Sequence, residues 1–99
     1  GINISTGILR ARYRDGYDRE VPLRPNEPTL FTITMLPIGI RFLAGSRIRL
    51  DVTSSDFPAF DRNHNSGGED WRDSKLLLAH QTVFHGASHP SRVVMPLIE

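Results

Sequence analysis

The feature that most constrains this chain is the alternation in "SRIRLDVTS" at residues 46–54, where Ile48, Leu50 and Val52 point one way and Arg47, Arg49, Asp51 and Thr53 the other. A period of two places one row of side chains on each face of an extended segment, so this stretch predicts a half-buried β-strand. "TLFTITML" at 29–36 repeats the pattern, with Phe31, Ile33 and Met35 opposite Leu30, Thr32, Thr34 and Leu36. Its β-branched residues suit a pleated surface. "QTVFH" (81–85) and "SRVVMPLI" (91–98) predict two further short strands, the second an edge or bulge because Pro96 cannot donate to a ladder.

Turn chemistry falls between these runs: Ala44-Gly45, Arg24-Pro25-Asn26-Glu27-Pro28, Ser66-Gly67-Gly68 and His89-Pro90. Short strands punctuated in this way predict an all-β sandwich or barrel. "GILRARYRDG" at 7–16 fits a strand through Leu9, Ala11 and Tyr13, and also one helical face through Leu9 and Tyr13; we read it as a strand. "WRDSKLLLAH" at 71–80 has room for a helical turn, and no internal repeat is visible.

With 99 residues the chain holds one modest core, so a single domain is expected. Lys plus Arg is 12 and Asp plus Glu 11, a formal charge of +1 that gives no global pull toward nucleic acid or an anionic membrane. Eleven of the twelve cations are nonetheless Arg, which forms bidentate pairs and tolerates partial burial, a bias that fits ion pairs at packed interfaces. Cysteine is absent, which excludes disulfides and thiolate zinc and leaves the redox compartment open. The most apolar window, 35–43, contains Pro37 and Arg41, so neither a signal peptide nor a membrane span is expected.

Several motifs invite a chemical reading. Asp61, Asn63 and Asn65 occupy positions 1, 3 and 5 of a calcium loop, but Ser66 stands where glycine is required and Arg72 where a bidentate Glu belongs. Asx side chains bonding their own loop are the better account, and no metal or other cofactor is expected. His85 and His89 are four apart, yet Gly86 and Pro90 argue against a helix that would aim both at a metal. No G-x-S-x-G occurs, and Ser55, Asp56 and His64 only happen to include triad residue types. Arg10, Arg12 and Arg14 with Tyr13, extended by Arg47 and Arg49, would make a basic stripe for nucleic acid. The interleaved Asp15, Asp18, Glu20 and Asp51 favour pairing within the chain instead. Asn3-Ile4-Ser5 matches a glycosylation acceptor, a weak signal on its own.

Two blocks carry a resemblance. "SRIRLDVTSSDFPAFDRNHNSGG" followed by "QTVFHGASHPSRVVMPLI" resembles the C-terminal domain of the X-prolyl dipeptidyl peptidase and cocaine esterase family of serine hydrolases, and "GILRARYRDG" with "PLRPNEPT" is similar to the segment preceding it there. The pattern covers about residues 7–98. It departs at Gly45-Ser46, where the family usually has Gly-His, at Ile38-Gly39, and at "EDWRDSKLLLAH", which matches neither block. The resemblance implies an all-β, jelly-roll-like β-sandwich, of which this chain matches the later half, attached to an α/β-hydrolase domain that holds the catalytic serine, aspartate and histidine. No catalytic residue is carried over.

The chain is therefore expected to be non-catalytic, packing on the α/β-hydrolase domain of a parent acyl esterase or X-Pro dipeptidyl peptidase and framing its cleft. Asp56, Phe57, Phe60, Asp61, Arg62 and Asn63 are expected to order the loop that leaves the best strand: Pro58 ends the pairing, the two Phe anchor, and the polar groups satisfy the backbone. A half sandwich has an open apolar face, so association with a second copy or with the rest of a larger protein is expected. The alternative is a stand-alone jelly roll binding carbohydrate or another small ligand, with Trp71 and Tyr17 as its platform.

Overall fold

The computed structural model describes residues 1–69, 72 and 74–98. The chain divides into two units, Gly1–Val52 and Thr53–Glu99.

In the first unit the regular element is a short 3-10 helix, Ala11–Tyr13, entered from an extended Arg10 and left through Arg14 in the right-handed helical region. This corrects the strand expected over 7–16. The cause is local: Tyr13 N donates to Arg10 O at 2.9 Å, Arg14 N to Ala11 O at 3.3 Å and Gly16 N to Tyr13 O at 3.1 Å, so successive turns use the amides that a ladder would need. The chain then returns, and Val21 N donates to Arg12 O at 2.7 Å. A second contact joins the start of the chain to the end of the 29–36 segment: Leu36 N donates to Thr6 O at 3.0 Å, and the Ser5 hydroxyl donates to Leu36 O at 2.7 Å. Gly7 makes this approach feasible, because a Cβ there would lie 2.9 Å from both Ile33 Cγ2 and Thr34 O. Turns occur at Arg24–Glu27, where Asn26 has φ 61°, and at Leu43–Ser46, closed by Ser46 N to Leu43 O at 3.0 Å with Gly45 at φ 86°. Both fall on the turn chemistry read from the sequence.

The second unit is organised around residues 53–68 and their return at Leu77. Phe60 N donates to Asp56 O at 3.0 Å, and the Phe57–Pro58 peptide bond is cis. Bends follow at 65–68 and 86–89.

None of the segments expected as strands (29–36, 46–54, 81–85, 91–98) carries a ladder among the described residues. No described residue is buried, and the apolar rows stay open: Phe31, Ile33, Ile48, Leu50, Val52, Val83 and Val93 are all exposed. A ladder is worth little unless its apolar face is covered, since burial of that face supplies most of the stabilisation. The alternating pattern is thus present in the sequence without the packed layer that would exploit it. No helix among the described residues is long and apolar enough to cross a membrane.

Candidate functional site

Two clusters of polar side chains stand out, one in each unit. The first closes residues 10–21. Arg14 Nη1 donates to Ala11 O at 2.8 Å and also to Val21 O, so one guanidinium fastens both ends of the loop. Tyr13 Oη donates to Glu20 Oε1 at 2.7 Å, and Arg12 Nη1 lies 3.8 Å from the same oxygen. The Tyr17 ring sits 5.9 Å from that of Tyr13 at 41°. Residues 11–14, Gly16 and Val21 are half-buried in a chain that is otherwise largely exposed. The triple-arginine stripe is therefore not one free face: Arg12 leans to a carboxylate and Arg14 to carbonyls.

Because its proton is held by the Glu20 carboxylate, the Tyr13 phenol is pushed above its ordinary value of 10.0; partial burial and the Glu20 charge push the same way, against Arg12 and Arg10. A raised pKa favours the protonated form in the folded loop. The contact therefore stabilises the loop fully below the ordinary phenol range and is lost as pH climbs through the raised value. In a Tyr17→Phe chain, phenolate absorbance should report a Tyr13 midpoint above 10.0, and Glu20→Gln should bring it down. A midpoint unchanged by Glu20→Gln would show that the carboxylate does not hold the proton.

The second cluster holds the residues singled out at 56–63. Asn63 Oδ1 accepts from Asn65 N at 2.9 Å, an Asx turn that leads into Asn65 at φ 60°, a conformation that Asn adopts more readily than most residues. Asn65 Nδ2 then donates to Leu77 O at 2.9 Å, while Leu77 N donates to His64 O at 2.9 Å. Asn63 thus spends on backbone the amide oxygen that a calcium loop would turn to an ion. Gly68 N donates to Ser66 Oγ at 3.2 Å, continuing the loop's self-satisfaction. Arg62 stacks its guanidinium 5.9 Å from the Phe57 ring centroid, a cation–π contact that the sequence reading did not include. Phe57 and Phe60 are 65% and 43% exposed, so neither is an anchor with a wall around it within this unit. Asp56 contributes its carbonyl to Phe60 N.

The histidine pair is also resolved locally. Bends at 86–89 take His89 to 5.3 Å from the Phe84 ring, with Nδ1 3.2 Å from Ser88 Oγ, and the Ser91 hydroxyl donates to Phe84 O. Tyr17 is 86% exposed, and Trp71 lies outside the described residues.

Against this geometry, residues 2–94 match the model of the X-Pro dipeptidyl-peptidase C-terminal non-catalytic domain. The chain belongs to that family. It is also 36% identical over 100 aligned residues to the cocaine esterase of Rhodococcus sp. (strain MB1 Bresler), an alignment that takes in 99% of this chain and 17% of that protein. The chain thus spans about a sixth of the length of this curated relative. No solved structure matches the chain. The family resemblance read from the two signature blocks is shown, and the domain is of the non-catalytic type. Missing from the sequence reading were the Arg14–Val21 bridge and the Tyr13–Glu20 bond, each between residues seven apart, and the Arg62–Phe57 stack, five apart, since such partners on a turning chain leave no periodic signal.

Proposed function

We propose that this chain is the C-terminal β-sandwich module of a serine hydrolase, an acyl esterase or X-Pro dipeptidyl peptidase, packing on the α/β catalytic domain and helping to frame the substrate cleft. The observation that carries this reading is the match of residues 2–94 to a non-catalytic domain family, reinforced by 36% identity to an esterase of which the chain covers only 17%. The fold is the later half of a jelly-roll-like β-sandwich, a single domain or part of one, whose strands at 29–36, 46–54, 81–85 and 91–98 pair once their apolar faces are covered. Asp56, Phe57, Phe60, Asp61, Arg62 and Asn63 order the exit loop, the Phe side chains acting as anchors when a neighbouring surface closes over them. Each would then contribute roughly 1.5–3 kcal/mol on full burial.

A fluorophosphonate probe, which labels activated serines, tests the non-catalytic role. Intact-mass measurement should find the 11.2 kDa chain unlabelled; a covalent adduct at that mass would place a nucleophile within these residues and overturn the reading. The exposed Tyr17 is the feature that favours a second reading, a small-ligand or carbohydrate module. Saturable sugar binding lost in Tyr17→Ala would support it.

A further inference from the structure

We propose that Tyr13 and Tyr17 form a site of oxidative coupling, at which a one-electron oxidant joins the two phenol rings by a carbon–carbon bond while Glu20 takes the Tyr13 phenol proton. The product is a covalent staple inside the loop that Arg14 closes.

These are the two tyrosines of the chain, and the backbone brings them together. The 3-10 helix ends at Tyr13, Gly16 N donates to Tyr13 O at 3.1 Å, and Gly16 has φ 131°, a conformation open to glycine, so the chain doubles back just before Tyr17. The ring centroids come to 5.9 Å at 41°, the separation of an interacting aromatic pair. Their surroundings differ. Tyr17 is 86% exposed and meets an oxidant from solvent, whereas Tyr13 is half-buried and its hydroxyl donates to Glu20 Oε1 at 2.7 Å. A phenol that loses an electron becomes a strong acid, and a carboxylate already at hydrogen-bond distance is a base in place for its proton.

The two environments divide the work. The oxidant removes one electron from Tyr17, whose phenol proton goes to water. An electron then passes from Tyr13 to the neighbouring Tyr17 radical, the Tyr13 proton moves along its hydrogen bond to Glu20, and Tyr17 regains a proton from water. The hole now rests on the sheltered ring, and Tyr17 is free to react with a second equivalent of oxidant. Two adjacent radicals combine through the ring carbons next to their oxygens. The hydrogens on those carbons move to the oxygens as both rings become aromatic again, and Glu20 releases its proton to water. In sum two phenols lose two electrons and two protons, and two equivalents of a one-electron oxidant are reduced.

The test exposes the dilute full chain to a ruthenium tris(bipyridine) photo-oxidant with persulfate and follows dityrosine fluorescence and intact mass. A chain of monomer mass lacking two hydrogens is expected, whereas oxidation of Met35 or Met95 adds oxygen and is told apart by mass. Trypsin cuts after Arg12, Arg14 and Arg19, which puts the two tyrosines on separate peptides, so a joined pair of peptides identifies the link. In guanidinium chloride, which opens the loop, linking within the chain should be about tenfold slower, since the rings are no longer held together. Glu20→Gln should slow linking at least about tenfold, a positioned base contributing roughly 10²–10⁴-fold to a proton transfer. Added imidazole, a soluble base, should restore much of that loss. Links that form only between copies, or equally fast in denaturant, would overturn the pairing of Tyr13 with Tyr17. A rate unchanged by Glu20→Gln, or lowered without rescue by imidazole, would overturn the role given to the carboxylate.

Discussion

Replacing Arg14 with alanine should speed hydrogen exchange at the Val21 amide by roughly ten- to a hundredfold. The Arg14 guanidinium holds Ala11 O and Val21 O together, and the amide of Val21 bonds Arg12 O within the same closure. Hydrogen bonds from a charged donor contribute about 1.5–3 kcal/mol, and about 1.4 kcal/mol is a factor of ten in the opening equilibrium that exchange reports. Lysine should restore little of the protection, because its shorter, more flexible and more strongly hydrated ammonium is not held in place to serve both carbonyls as the rigid guanidinium Nη1 is. Exchange at Val21 indifferent to Arg14→Ala would mean that the backbone turns of residues 10–16 hold the loop unaided.

Gly7→Ala should have an effect of similar size at a different amide. The added Cβ would stand 2.9 Å from Ile33 Cγ2, 2.9 Å from Thr34 O and 3.2 Å from Met35 Cγ. A side chain can rotate away, but the carbonyl belongs to the backbone that presents Leu36 to Thr6, so the two segments must separate. Overpacking of this kind costs about 1–3 kcal/mol. The Leu36 amide, bonded to Thr6 O, should therefore exchange roughly five- to a hundredfold faster. Gly39→Ala is the natural control, because a Cβ there meets nothing within 4 Å. If both substitutions changed Leu36 equally, the close approach at Gly7 would not be what holds the segments together.

What the sequence disclosed, and what it concealed, follows the range of the interactions involved. Turns at Arg24–Glu27 and Leu43–Ser46 were legible because Pro, Asn and Gly impose backbone angles on their own neighbours. The Asx bond from Asn65 N to Asn63 was legible for the same reason, lying within two residues. Membership of the family was legible from two long blocks of consecutive residues, which need no folding argument. The reading of 7–16 as a strand failed because alternation of Leu9, Ala11 and Tyr13 competes with successive backbone turns and with a guanidinium that binds carbonyls on both sides of the loop. The segments at 29–36 and 46–54 carry a sound β period, but pairing depends on a covering layer that a period cannot supply. In the site, the Arg62–Phe57 stack was hidden because Arg62 could equally have sought a carboxylate, and only geometry decides between a ring and an anion.

The clip at Leu77 has a consequence for how this chain can vary. Asn65 Nδ2 and His64 O seize the carbonyl and the amide of one residue, so the two ends of the stretch 66–76 meet at a fixed point. Whatever lies between is a closed excursion, and the entropy of closing such a loop grows only logarithmically, by about 0.6 kcal/mol for each doubling in length. The part of the chain that matches neither signature block, 69–80, begins inside this excursion and runs past its base at Leu77. Insertions and deletions between Ser66 and Leu76 are thereby insulated from the motif at 54–65, which makes this stretch the natural place for related chains to differ in length and for a foreign peptide to be grafted.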